Sequence, residues 1–478
     1  MVRRLNSLML VGTGSDVGKS VLCTALCRIL VQDGYHPAPF KAQNMALNSY
    51  ATPDGREIGR AQAVQAEACR LAPETDMNPL LLKPNSEHTT QVVLHGKPMG
   101  NRSAYDYFRR EGREELRQEV HGAYDRLAAR FNPIIMEGAG SVSELNLRST
   151  DLVNLPMARH AGADVILVAD IDRGGVFASC YGSIMLQTPE DRALIRGIII
   201  NKFRGDIRLF EEGRRMIEDL CQVPVLGVVP MYHGIVIEEE DSVALGTKSR
   251  TLGNRQQVQV AVVLLRHMSN FTDFDVLERD ERVNLFYTSN PTDIEQADIV
   301  ILPGTKATLD DLYQLRRNGV GQAIVRAHKA GHRIVGICGG YQMLGQMVLD
   351  PEGIEGEIPA LPGLGLLDIT TTMTAEKETR QVEFTFQGVP CRGYEIHQGR
   401  STTTQQILEQ GNCLGTYLHG FLDNRVVIDY LLQPFTTIRS ATPQLTPEQF
   451  KDQQYDLLAQ HVRQYVDIPK LYQILSHD

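Results

Sequence analysis

The sequence predicts an α/β protein of two domains: an N-terminal parallel sheet with helices on both faces, carrying a phosphate-binding (P-loop) turn, and a second α/β domain behind it. Three observations carry this expectation. Short apolar runs alternate with amphipathic stretches in both halves, and a polar, charged interval at 231–257 interrupts the rhythm. Each half also has a glycine-rich turn directly after an apolar run, GTGSDVGKS at 12–20 and GICGGYQ at 336–342. Open sheets of this kind hold their ligands at the carboxyl ends of their strands.

Size and composition agree. A chain of 478 residues exceeds one ordinary core, and two domains of roughly 200 residues are the default. With 42% hydrophobic and 22% charged residues, the balance is that of a soluble globular protein. The net charge of −10 is spread among both signs, so no nucleic-acid partner is expected. The eight cysteines form no C-x-x-C pair, which suits a reducing cytoplasm. The opening MVRRLNSLMLVGTGSD is read as a first strand, because Gly, Thr and Asp break its apolar run. No apolar stretch approaches the ~18 residues of a membrane span, so no membrane partner is expected and the oligomeric state stays open.

In order, buried strands are expected at 7–12, 133–140, 164–170, 197–202 and 223–230, with helices at 114–130 and 206–221 between them. Strands resume at 258–266, 298–304 and 332–340. RQVEFTFQG and GYEIHQGRS alternate in the manner of antiparallel strands, and the polar tail from about residue 446 has helical period. The expected division is a P-loop α/β domain at 1–235, a linker at 236–257, a second α/β domain at 258–440 and a helical tail at 441–478.

The first glycine-rich turn departs from G-x-x-x-x-G-K-[ST]: Thr13 stands where the first glycine belongs, and Gly12 comes one residue early. Its context is right, since the strand LMLVG leads in and the helix KSVLCTALCRIL leads out. Backbone N–H groups around Gly12, Thr13, Gly14 and Gly18 then face phosphate, Lys19 reaches its outer oxygens, and Ser20 ligates Mg²⁺. Glu137, ending the run IIM, suits Mg²⁺ or a reacting water. Asn201, after GIII, is placed to read a purine edge. Lys41, Gln43, Asn44 and Asn48 are candidates for a polycarboxylate substrate, with Asp151 and Asp172 weaker ones. The loop resembles the GTxxxVGK[ST] variant of the dethiobiotin synthetase family, which implies activation of a carboxylate by ATP.

The second turn exposes Cys338 between a strand and a helix, where the following N–H groups can stabilise an oxyanion. G-I-C-x-G-x-Q is similar to the nucleophile signature of class I glutamine amidotransferases. That resemblance implies that Cys338 attacks the glutamine amide, that His419 in GTYLHGF is the general base, and that Gly304 in LPG and Gly339 serve the oxyanion, with Gln342 at the glutamine site. The usual H-x-E carboxylate is missing: Phe421 holds its place, and Asp423 is the nearest acid in sequence. His397 is a rival base.

ATP-dependent carboxylate activation joined to ammonia release describes an amidoligase. The long block from Lys41 to Gly100, the block from Glu137 to Ser179, and YEIHQGRS resemble the cobyric acid synthase family. Membership implies four glutamine-dependent amidations, at the b, d, e and g carboxylates of adenosylcobyrinic acid a,c-diamide. ATP and Mg²⁺ are the implied cofactors, no tightly bound prosthetic group is expected, and the partners are the corrin, glutamine and ATP. Two alternatives stay open: cobyrinic acid a,c-diamide synthase, and a nucleotide switch with a degenerate amidotransferase domain.

Overall fold

The computed structural model describes residues 4–84, 89–103, 113–238, 240, 251, 253, 256–435 and 445–477. Much of the expected linker at 236–257, and the start of the tail at 441–444, lie outside the described residues.

Among the described residues, six strands form the first sheet. Their order is Val225–Pro230, Ile195–Phe203, Asp164–Asp170, Leu8–Gly12, Ile134–Glu137 and Ala38–Phe40, and every neighbouring pair is parallel. Leu8–Gly12 and Asp164–Asp170 are buried at every position, as continuous apolar strands covered on both faces must be. The register sets Gly12 beside Val168, Leu10 beside Glu137 and Asp170 beside Asn201. Gly12, Glu137 and Asn201 therefore leave the sheet along one edge.

The second sheet runs Val283–Thr288, Val258–Val263, Ile299–Leu302, Arg333–Ile337, Cys413–Thr416, Ile407–Gln410, parallel except for its last pair. Thr370–Phe386 and Val389–Ser401 pair antiparallel beside it, the arrangement their alternation calls for.

The block after Ala38–Phe40 folds into strands and a helix of its own. Gln43–Met45, Leu80–Pro84, Thr89–Leu94 and Lys97–Ser103 form a small sheet, Ser49–Ala51 pairs with Glu57–Gly59, and Arg60–Ala68 is a helix. Leu80, Leu82 and Val92 bury with the first sheet's core, which offsets the local preference for turns. This insert reaches the second half: Tyr50 packs on Tyr394 with ring centroids 5.3 Å apart, the Ser49 N–H donates to Asn270 Oδ1 at 3.2 Å, and Gln381 donates to the Ala51 carbonyl.

The tail returns to the first half. Pro447–Tyr465 opens with a Thr446–Gln449 capping box. Its Tyr455, Leu458 and Val462 pack with Leu22, Leu26 and Ile29 of the helix Lys19–Gln32, and Arg28, with no exposed side chain, pairs with Asp452.

Candidate functional site

The phosphate-binding turn sits at the carboxyl end of Leu8–Gly12 and opens the helix Lys19–Gln32. A Cβ on Gly12 would lie 2.7 Å from both the Gly14 carbonyl and Lys19 Nζ, so the lysine can fold back over the turn only above a glycine. The Thr13 N–H donates to the Val168 carbonyl at 3.0 Å, tying the loop to the next strand. Lys19 Nζ donates to the carbonyls of Gly14 and Gly140, both at 2.9 Å. Among the described residues no carboxylate forms an ion pair with it. Burial, against the opposing charge of Glu137, brings its ammonium down to about 8. A buried cation held only by neutral carbonyls is poised for an anion.

Glu137 is 1% exposed and accepts from Ser20 Oγ at 2.8 Å, Lys41 Nζ at 2.7 Å and Gln65 Nε2 at 2.6 Å. Burial alone would raise its carboxyl; the Lys41 charge and these hydrogen bonds outweigh it and hold the group below its ordinary value. Gln65 Oε1 is buried without a hydrogen-bond partner among the described residues. Ser20, Glu137 and this amide oxygen are the hard oxygen donors that Mg²⁺ takes, so the residues fit that ion.

The remaining first-half candidates separate. Lys41 joins the Glu137 cluster. Asn44 donates to Gln62 Oε1 at 3.0 Å and Glu240 Oε1 at 2.7 Å, and Gln43 begins the small sheet. Asn48 is fully buried and accepts the Asn270 N–H at 2.5 Å; it belongs to the seam between the halves, not to the phosphate side. Asn201 braces the loop, donating to the Val17 carbonyl at 2.9 Å. Asp151 accepts the N–H groups of Val153 and Asn154 at 2.7 and 3.1 Å, a local turn, and Asp172 pairs with Arg204 at 2.6 Å.

In the second half, Cys338 joins the strand Arg333–Ile337 to the helix Gly339–Leu344 at φ 53°, ψ −112°, the strained elbow that presents a nucleophile. A Cβ on Gly340 would lie 1.9 Å from the Leu302 carbonyl oxygen, so glycine there is obligatory. Cys338 and His419 line one pocket with Thr305, Gln342 and His397. Gly304 lies beside His419: a Cβ built there would stand 3.4 Å from His419 Cε1. Gly339 packs on Thr305, and Gln342 Nε2 donates to the Gln398 carbonyl at 2.8 Å.

His419 is 1% exposed and exchanges backbone hydrogen bonds with Tyr394 at 2.8 and 3.0 Å. Its Nδ1 lies 2.7 Å from Asp273 Oδ2. The orienting acid is therefore Asp273, not Asp423, and the vacancy left by Phe421 is filled from the turn after the strand Val258–Val263. Burial would push the imidazole down; Asp273 and the hydrogen bond with Cys338 outweigh it and lift the ring to about 10. His397 is brought down to about 4, chiefly by burial, and stacks on Tyr417 at 3.8 Å, the environment of a wall rather than a base.

Sequence reasoning missed Asp273, Gln65, Lys306 and Glu355, and also Lys83, which reaches the Cys338 cavity from the first half. The stretch NFTDFD was the available signal for Asp273, though nothing local distinguishes its acids. Among the described residues no helix is long and apolar enough to cross a membrane.

Residues 8–242 match the family described as the CobQ/CobB/MinD/ParA nucleotide binding domain, and residues 259–427 match the CobB/CobQ-like glutamine amidotransferase domain. Along its whole length the chain is similar to curated relatives named cobyric acid synthase. It is 64% identical to that of Bacteroides fragilis and 62% to that of Phocaeicola vulgatus, each alignment covering 100% of this chain and 99% of the relative. The Parabacteroides distasonis relative is 54% identical, with 100% of both chains covered.

Proposed function

The chain belongs to the cobyric acid synthase family, and from that premise we propose how its two sites divide the glutamine-dependent amidation of cobalamin biosynthesis. The first site activates a peripheral carboxylate of the corrin with ATP, giving an acyl phosphate. The second hydrolyses glutamine, and the ammonia released displaces phosphate to form the amide. The b, d, e and g carboxylates of adenosylcobyrinic acid a,c-diamide are the acceptors.

At the second site Asp273 holds the His419 ring, and His419 moves the proton between Cys338 and the departing ammonia. The Cys338 sulfur attacks the side-chain amide, N–H groups at Gly304 and Gly339 receive the oxyanion, and water then releases glutamate from the thioester. At the first site Lys19 and the N–H groups of residues 12–20 bind the phosphates. Mg²⁺, held by Ser20 and Glu137 with Gln65 beside them, would neutralise phosphate charge. Asn201 keeps the loop in place.

The observation that carries this reading is the pairing, in one chain, of an under-compensated lysine in a phosphate loop with a buried Cys–His–Asp set. Mass spectrometry of the corrin during turnover tests it. Successive single amidations of the a,c-diamide, each requiring ATP and glutamine, are expected. Consumption of cobyrinic acid itself, with the a,c-diamide left unchanged, would transfer the chain to the other corrin amidation.

A further inference from the structure

The cavity at Cys338 holds two partly buried groups of opposite charge that the hydrolytic chemistry does not use. Lys306 follows the LPG turn, and its Nζ donates to the neutral Gln398 Oε1 at 3.1 Å. Among the described residues it forms no ion pair with a carboxylate. Glu355 accepts the Thr308 N–H at 2.7 Å, the Leu309 N–H at 3.4 Å and Thr308 Oγ1 at 3.2 Å, and among the described residues it has no cationic partner within ion-pair distance. Both line the cavity that contains Cys338 and His419.

A charge partly withdrawn from water, with no opposite charge in contact, is costly unless something completes it. The cost is visible here: burial brings the Lys306 ammonium down to about 8 and lifts the Glu355 carboxyl to about 7. Each group senses the other's charge without touching it. A ligand carrying a carboxylate and an ammonium on one carbon would complete both at once, and its side-chain amide would extend from that carbon. On the far wall, Lys83 from the first half and Lys377 from the second share the single carboxylate of Glu57.

We propose that Lys306 and Glu355 form the receptor for the α-carboxylate and α-ammonium groups of glutamine, so that they select a free amino acid over other primary amides. This rests on the assignment of the Cys338 cavity as the glutaminase site. Neither residue acts on the scissile amide; both determine specificity.

The test compares ammonia release from three amides by the full-length protein: L-glutamine, 4-aminobutanamide (no α-carboxylate) and glutaramic acid (no α-ammonium). Lys306→Met is expected to raise the KM for glutamine about 10- to 100-fold, the range of a lost charged hydrogen bond. Its kcat should change far less, and its preference for glutamine over 4-aminobutanamide should collapse. Glu355→Gln, nearly isosteric, should collapse the preference over glutaramic acid instead. Each preference is a ratio within one preparation, so a reduced folded fraction cancels, and the two variants test the receptor independently. Preferences retained in both variants would overturn the receptor while leaving the glutaminase reading intact. Absence of glutamine hydrolysis by the unmodified protein, with ATP and corrin present, would overturn the glutaminase reading and the receptor with it.

Discussion

Asp273 Oδ2 lies 2.7 Å from His419 Nδ1 across 146 positions of chain, and its other oxygen accepts the Gly420 N–H at 3.0 Å. One carboxylate thus sets both the direction of the imidazole and the backbone that carries it. Phe421, at the place of the usual carboxylate, is instead fully buried against Phe384 and Phe386, with ring centroids 5.9 and 5.6 Å away. The orienting charge has moved to another segment, and the vacated position has become core.

Removing that charge while keeping the shape should therefore be severe. Asp273→Asn is expected to lower glutamine-dependent amidation by about 10³- to 10⁴-fold, the scale seen when a triad acid is neutralised. Amidation driven by ammonium should persist. Rates with the two nitrogen sources check this, and a glutamine rate within tenfold of the parent would remove Asp273 from the mechanism.

Cys338→Ser should separate the two chemistries in the same way. A serine hydroxyl lacks the nucleophilicity of a thiolate, so glutamine-dependent amidation should disappear while high ammonium at alkaline pH still supports product. Simultaneous loss of both activities in a variant with unchanged circular dichroism would mean that the cysteine also serves carboxylate activation.

Lys19→Ala should show the opposite pattern, losing amidation with either nitrogen source by on the order of 10²- to 10³-fold. The reason is that phosphate charge must be neutralised before any acyl phosphate forms. Glu137→Gln should also respond less to Mg²⁺. A Mg²⁺ titration indistinguishable from the parent's would leave Glu137 as the partner of Lys41 and nothing more.

His419 also predicts a pH dependence of stability. Its folded value, about 10, lies above the unfolded value of about 6.5. The folded state therefore binds the proton more tightly, and the contribution is complete below about pH 6.5 and lost as pH rises through about 10. Urea unfolding between these limits should show stability falling more steeply in the parent than in His419→Gln. Equal slopes would mean that the Asp273–His419 pair is not an ion pair in the folded protein.

At the seam, burial would raise the Glu57 carboxyl, but Lys377 and Lys83 together hold it well below the usual carboxylate range. Its stabilising effect is present above the unfolded value of about 4.3 and declines as pH falls through the folded one. Glu57→Gln leaves two buried lysines facing each other and should cost about 3–5 kcal/mol at neutral pH, with a flatter acid limb. Denaturant midpoints across pH 3 to 7 test this, and a loss below about 1 kcal/mol would mean that the lysines find other partners.

Much of this molecule is legible in its residues in order. Buried parallel strands are apolar at nearly every position, and the phosphate loop and the cysteine elbow are continuous strings; Gly12 answers contacts with Gly14, Val17 and Lys19 a few residues away, whereas Gly340 answers the Leu302 carbonyl on a neighbouring strand. Local sterics and hydrogen bonding impose such features, so the string contains them. The tertiary structure decided which charges meet. Asp273 finds His419, Lys83 and Glu57 find Lys377, Asn48 turns toward Asn270, and Lys306 and Glu355 share a cavity, each pairing across a fold boundary or a long loop. The insert at 41–100 likewise became sheet and helix because it buries apolar surface against a core formed elsewhere in the chain. Coulombic attraction and burial depend on distance in space, and separation along the chain does not report it.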